Sequence, residues 1–273
     1  MQTVMSALED LMLSMDRTDA VVIVSEVLGV NRAWIAANPM RILTESQDAQ
    51  IEMLAAQRAM GRPVAYLLNR REFYGRDFAL DASVLIPRPE TETLVEAALA
   101  RMAPRDTSLD LGTGSGAIAV TLACQRPEMR VVATDVSEEA LRVARANAER
   151  LHCADRIEFL KGSWYQPVGT RRFDVIVSNP PYVAAGDPHL GKGDLRFEPQ
   201  QALTDGSRDG LDSIRAIVGG ASDHLKKGGW LLFEHGYDQA EAVRTLLESA
   251  GFGSIVSLPD LAGIPRVAGG KII

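Results

Sequence analysis

The chain has 273 residues, 46% of them hydrophobic and 24% charged, with a formal net charge of -7. That length accommodates one large domain and a small one, and the apolar fraction excludes a disordered chain. The acidic balance argues against a nucleic-acid backbone as the main partner, because such binding favours a basic surface that replaces counterions.

Cys124 and Cys153 are the only cysteines, they lack metal-ligand spacing, and the four histidines are scattered. Neither a disulfide framework nor a metal site is expected. The N-terminus has no basic start followed by an apolar core, and the run Ala20 to Val24 is cut short by Ser25 and Glu26. The expectation is therefore a cytoplasmic protein without signal peptide or membrane span.

From Val4, the residues Leu8, Leu11, Met12 and Met15 recur at helical spacing, and apolar-periodic segments follow at Val21 to Leu28 and Ile51 to Met60. They predict a small helical bundle over residues 1–72. A stretch rich in β-formers, Glu72 to Ile86 with a turn at Gly75, predicts a hairpin inside a linker of residues 73–90, with the domain boundary near residue 80.

Beyond Arg105 short apolar strands alternate with helices. Strands are predicted at Ser108 to Leu111, Arg130 to Thr134, Ile157 to Lys161, Val175 to Ser178 and Trp230 to Phe233. Helices are predicted at Ala117 to Cys124, Glu138 to Leu151, Asp212 to Leu225 and Asp238 to Ala250, and the tail from Ser254 supplies a terminal antiparallel pair. Such alternation predicts an α/β domain over 91–273 with a mostly parallel, doubly wound sheet.

Asp110, Gly112, Thr113, Gly114, Ser115 and Gly116 follow the first of these strands and open a helix. Glycines there permit a tight turn and close approach of a ligand to the backbone. Asp135 ends the second strand, where an acidic residue accepts hydrogen bonds from both ribose hydroxyls. Gly112, Gly114 and Ala117 also satisfy a dinucleotide pattern, so the loop alone leaves S-adenosylmethionine and a dinucleotide both open.

Phe173 to Ser178 reads as a buried strand, and it runs into Asn179, Pro180, Pro181 and Tyr182. Two prolines fix φ and remove two N–H donors, so nearby carbonyls lack local partners and act as acceptors beside the Asn179 side-chain carbonyl. A planar NH2 group fits between such acceptors. An amide or aryl-amine nitrogen is a poor nucleophile, and accepting both its N–H bonds orients its lone pair and stabilises the positive charge that develops on methylation. Each lost acceptor costs ~1–3 kcal/mol in hydrogen-bond terms. Tyr182 stacks on the planar group or walls the pocket. No Ser/His/Asp arrangement is present, and the methylated nitrogen, once protonated, is acidic enough to need no ionised base.

These residues make the sequence resemble the HemK/PrmC protein-(glutamine-N5) methyltransferases. The likeness includes Arg70 to Gly75, Leu85 to Glu92, and Asp187 to Leu190 leading to Arg196 to Pro199. The resemblance implies a seven-stranded, Rossmann-like class I S-adenosylmethionine-dependent methyltransferase with a small N-terminal helical bundle. It implies that Gly112 to Gly116, Asp135 and Trp164 hold the cofactor, with Trp164 on the adenine side and Asn179 touching both ligands. Asp110 shares a loop-supporting and a cofactor role.

The resemblance further implies that Asn179, Pro180 and Tyr182 carry catalysis, that Pro181 completes the substrate clamp, and that the helical domain helps hold a class I peptide chain release factor. A monomer is expected, acting on the Gly-Gly-Gln glutamine of that factor. Arg88 and Glu90 anchor the linker or serve function, Glu198 and Pro199 order the loop over the substrate, and His189 is structural. The rival readings are a DNA adenine-N6 amino-methyltransferase, a methylase of another Gly-Gly-Gln-like protein, and a cofactor-binding module without catalysis. Against the DNA reading stand the acidic balance and the lack of a sizeable extra region for base readout.

Overall fold

The computed structural model describes residues 2–273 and divides into two compact units, Met1–Arg70 and Arg71–Ile273. The first unit contains α1 (Val4–Leu11), α2 (Arg17–Leu28), α3 (Arg32–Ala37), α4 (Glu45–Ala59) and α5 (Val64–Leu67). Thr3 and Thr44 each form a reciprocal capping box, Asp16 accepts from the Asp19 amide and Asn31 from the Trp34 amide, so four of the helices begin where a side chain satisfies a first free N–H group. Val4, Leu11, Ile23, Val24, Ile51 and Leu54 form the unit's core.

Two expectations shift here. The helix predicted through Met15 stops at Leu11, because Asp16 starts the next helix. The segment expected from Ile51 begins at Glu45, because its first turn is polar and carries no apolar period.

A hairpin of β1 (Arg70–Phe73) and β2 (Arg76–Ala79) follows, turning through Tyr74 and Gly75 at φ +51° and +71°. Positive φ at both central residues matches the twist of a two-residue hairpin. The strand pair ends at Ala79 rather than continuing to Ile86. Asn147 clamps it there, accepting from the Ala79 amide and donating to the Ala79 carbonyl.

The second unit continues with α6 (Thr91–Leu99), β3 (Thr107–Leu111), α7 (Ala117–Gln125), β4 (Arg130–Asp135), α8 (Glu138–Arg150), β5 (Ile157–Lys161), β6 (Phe173–Ser178), α9 (Gln200–Leu203), α10 (Asp212–His224), β7 (Leu225–Glu234), α11 (Ala240–Ser249), β8 (Gly253–Pro259) and β9 (Pro265–Lys271). The sheet order is β5-β4-β3-β6-β7-β9-β8, parallel except for β9, which runs antiparallel to β7 and β8.

Successive strand residues face opposite sides, and both sides are buried. Val175 and Val177 join one core with Leu94 and Leu122, whereas Ile176 joins the other with Ile214 and Val243. That two-sided burial is why the parallel strands read as near-continuous apolar runs. The order reverses at β3 and β6, so a crevice opens beyond their carboxyl ends, where the glycine loop and Asn179 stand.

Candidate active site

The turn from β3 into α7 takes Gly112, Gly114 and Gly116 through φ of +72°, +56° and +81°, conformations that side chains rarely adopt. The Thr134 carbonyl at the end of β4 accepts from the amides of Gly112 and Thr113, at 2.9 and 3.0 Å. Asp135 continues the same tether, its Oδ2 accepting from the Gly114 amide and its Oδ1 from Ser137, both at 2.9 Å. Burial pushes the Asp135 carboxyl above its ordinary value, and these backbone donors pull it back down.

Gly116 serves packing, since a Cβ there would stand 3.1 Å from the Ala144 Cβ on α8. Asn147, fully buried, donates to the Ser115 carbonyl at 2.9 Å and so ties the loop to α8 and the hairpin. The sequence reading did not single it out.

A cavity of about 380 Å³ lies over this loop. Gly112, Thr113, Gly114, Ser115, Asp135, Trp164, Asn179 and Pro181 line it, whereas Asp110, Gly116, Pro180 and Tyr182 do not. Further lining comes from residues the sequence reading passed over, among them Val84, Thr91, Val136, Thr204 and Asp205. Trp164 is held at φ +45°, with its carbonyl accepting from the Thr134 hydroxyl at 3.2 Å. A non-glycine residue in that region costs about 1–2 kcal/mol, and here it brings the indole to 3.6 Å from where a Gly112 Cβ would sit.

Asp110 lies beneath the loop, fully buried. Its Oδ2 accepts from the Thr113 hydroxyl at 2.7 Å and the Ala119 amide at 3.2 Å, while Oδ1 has no protein partner among the described residues. Burial raises its pKa from 3.8 to about 7. Between those values the unfolded chain ionises while the folded chain keeps its proton. The associated stability is therefore present below pH ~4 and lost as pH rises through ~7, by at most ~4 kcal/mol. Asp110→Asn keeps one oxygen for both donors and removes the ionisation. Urea midpoints measured from pH 5 to 8 are expected to fall less for this variant than for the wild type.

Asn179 follows β6 immediately. Its Nδ2 donates to the Thr91 hydroxyl at 3.1 Å, and its Oδ1 has no protein partner among the described residues. Neither the Pro180 nor the Pro181 carbonyl accepts a hydrogen bond there either. The segment beyond is braced, with the Val183 amide bonded to Leu203 and the Ala185 amide to Ser207. Gln239 donates to the Tyr182 carbonyl at 3.0 Å, and Gly210 approaches that carbonyl so closely that a Cβ would lie 2.1 Å from it. Tyr182 turns its hydroxyl inward to Glu234 Oε1 at 2.8 Å. Burial and the neighbouring carboxylate keep that phenol well above its ordinary value, so it stays protonated.

Glu198 fastens the loop that follows. Fully buried in its side chain, it accepts from the Ile86 amide at 3.0 Å and from the Arg88 guanidinium. Glu198→Ala leaves both donors without their acceptor, at about 2–3 kcal/mol. The urea midpoint is expected to fall accordingly, with new protease cleavage between residues 186 and 198. His189 is exposed and pairs with Asp187, a local loop contact.

The residues present fit S-adenosylmethionine. A carboxylate ends β4, an aromatic wall stands over a glycine turn, and a Cβ at Gly114 would meet open space. No group of three His, Cys, Asp or Glu side chains capable of holding a metal ion occurs among the described residues, and no described helix is long and apolar enough to cross a membrane.

Comparison with known proteins agrees with this geometry. The methyltransferase small domain model matches residues 90–192, and the PrmC N-terminal domain model matches residues 1–68. A release factor glutamine methyltransferase of Bordetella pertussis is 50% identical, covering 98% of this chain and 100% of its own length. The Neisseria gonorrhoeae protein of the same name is 55% identical over 81% of this chain and 80% of its own.

Among solved structures, a methyltransferase from Pyrococcus furiosus aligns with TM-score 0.55 at 22% identity, over 84% of this chain and 98% of its own. A 16S rRNA methyltransferase from T. thermophilus, solved with AdoMet and guanosine, aligns with TM-score 0.54 at 22% identity, over 75% of this chain and 50% of its own. At that identity the two structures establish the fold alone, a Rossmann-like α/β sheet. The seven-stranded domain, the glycine loop facing Asn179, and the relatives matched along almost the whole chain agree, and the protein belongs to the release factor glutamine methyltransferase family.

Proposed function

We propose that this protein transfers the methyl group of S-adenosylmethionine to the side-chain amide nitrogen, N5, of the glutamine in the Gly-Gly-Gln motif of class I peptide chain release factors, and does so in the cytoplasm. The observation that carries the reading is the set of carbonyls at Asn179 Oδ1 and Pro180, unpartnered at the carboxyl end of β6 and next to the glycine-loop cavity. The names of the relatives supply the release factor glutamine as substrate.

In this reading Asp135 holds the ribose hydroxyls, Trp164 walls the adenine side, and the turn at Gly112 to Gly114 adjoins the remainder of the cofactor. When bound, the cofactor supplies an electrophilic methyl on a sulfonium sulfur. Asn179 Oδ1 and the Pro180 carbonyl accept the two N–H bonds of the substrate amide. Their acceptance turns the nitrogen lone pair out of conjugation and stabilises the charge that develops on it. Pro181 and the ring of Tyr182 bound the clamp. The nitrogen, protonated as it is methylated, releases its proton to solvent, and no side chain is required as base. Tyr182 is unsuited to that task because its hydroxyl is committed to Glu234. The helical unit of residues 1–70 is assigned to holding the release factor.

The test incubates the purified protein with labelled S-adenosylmethionine and a class I release factor, the same factor with the Gly-Gly-Gln glutamine replaced by alanine, and a duplex DNA. Peptide mass is expected to place the label on that glutamine alone. Label on DNA would establish the amino-methyltransferase of nucleic acid instead. Transfer to the alanine variant would move the reaction to another residue.

A further inference from the structure

Glu234 is a carboxylate with both oxygens committed inside the fold. It ends β7 one residue beyond Phe233, which pairs with Ser178, and so stands level with Asn179. Burial pushes its carboxyl up, and the two hydroxyls that donate to it, Thr91 and Tyr182, hold it down together with Arg266, while the Glu90 charge opposes them. Thr91, the first residue of α6 and itself buried, lies 2.6 Å from Glu234 Oε2, and Tyr182 lies 2.8 Å from Oε1. Neither Thr91 nor Glu234 was singled out as a site residue by the sequence.

A hydroxyl has one proton and two lone pairs. Once Thr91 spends its proton on Glu234, its oxygen only accepts toward Asn179, and only the NH2 end of the Asn179 amide is compatible with it, as the 3.1 Å contact shows. The opposite end, Oδ1, is thereby left facing away from Thr91 without a partner. Reversing the amide would present a donor where the substrate NH2 also donates.

We propose that Thr91 and Glu234 are positioning residues that set the polarity of the Asn179 amide, so that the methyl-accepting NH2 group meets an acceptor. The carboxylate acts through two hydroxyls at once, fixing the carboxamide through Thr91 and turning the Tyr182 ring edge inward. This inference rests on the assignment of Asn179 as the substrate acceptor.

The experiment is a double-mutant cycle. Thr91→Val removes the accepting oxygen at nearly constant volume, and Thr91→Ser retains it; each is made in the wild type and in Asn179→Ala. Single-turnover methyl transfer to a release factor, kcat and KM, cofactor affinity and Tm are read for every variant. Thr91→Val is expected to lower kcat by about 10- to 100-fold with cofactor affinity within about twofold. Thr91→Ser is expected to stay within about threefold of wild type. In the Asn179→Ala background Thr91→Val is expected to add less than about twofold, since its effect passes through the missing amide.

Should Thr91→Val fold poorly, Thr91→Ala removes the same acceptor with less crowding and is read identically. Wild-type turnover in Asn179→Ala would overturn the assignment of the site itself. Loss in Asn179→Ala alongside full activity in Thr91→Val, or an undiminished loss from Thr91→Val in both backgrounds, would overturn the positioning role alone.

Discussion

Asn179→Ala is expected to lower the rate of methyl transfer by about 10²- to 10³-fold while cofactor affinity stays within about threefold. The substitution deletes the side-chain acceptor at the end of β6, and the size matches removal of one preorganised polar group that stabilises developing charge in a water-poor site. Asn179 lines the cavity beside the glycine turn, but the polar groups that define the cofactor end of that cavity are on Asp135 and the loop amides. The Pro180 carbonyl remains in the variant, which is why turnover falls without vanishing. Stability is expected to change little, because the one hydrogen bond lost within the protein is that to Thr91, and Thr91 keeps its bond to Glu234. Calorimetric titration with S-adenosylmethionine and single-turnover transfer separate the two quantities. A variant that loses cofactor affinity as strongly as rate would contradict the role assigned to this side chain.

How much of this arrangement was legible in the sequence depends on how far apart its parts lie. The core strands were visible because burial on both faces leaves apolar runs, and the strand at Ile157 to Lys161 has its predicted limits. β7 is longer than the predicted Trp230 to Phe233, since Leu225 pairs with Phe173 across a register irregularity that Lys226 and Lys227 conceal. α6 was missed although Leu94, Val95 and Ala98 follow a helical period. It begins directly after a proline-rich run that reads as linker, and its first residue is fixed by a tertiary bond rather than a side-chain cap.

The glycine loop and the Asn-Pro-Pro-Tyr segment are local motifs, and each could be read from neighbouring residues. The contacts that orient them could not. Thr91 and Glu234 are 143 positions apart, and Asn147 reaches Ser115 across 32 and Ala79 across 68. One signal was available for Glu234: an ionisable residue closing the apolar run Trp230 to Phe233 stands at the carboxyl edge of a doubly wound sheet, where ligands bind. Asp110 is the converse case. Its place before the glycines suggested cofactor contact, but the loop closes over it, and its hydrogen bonds support Thr113 and the start of α7.

Asp135→Ala is expected to reverse the pattern of Asn179→Ala, weakening S-adenosylmethionine binding by about 100-fold while leaving the rate at saturating cofactor within about fivefold. The carboxylate accepts from Gly114 and Ser137 inside the protein, and each oxygen retains a second lone pair for a ribose hydroxyl. Hydrogen bonds to a charged acceptor contribute about 1.5–3 kcal/mol each, so loss of the pair to ribose, partly offset by water, corresponds to roughly two orders of magnitude in affinity. Part of the loss passes through the loop, because the Gly114 amide is released and the turn must be ordered again on binding. Thr134 still holds Gly112 and Thr113, so the turn is loosened rather than dismantled. Asp135→Asn is expected to recover little, since its NH2 group would face one of the two amides that now donate. The clamp at Asn179 is untouched in both variants, which is why raising the cofactor concentration restores the rate. Cofactor affinity within about threefold of wild type in Asp135→Ala would remove this carboxylate from the binding site and leave it only its structural role in the loop.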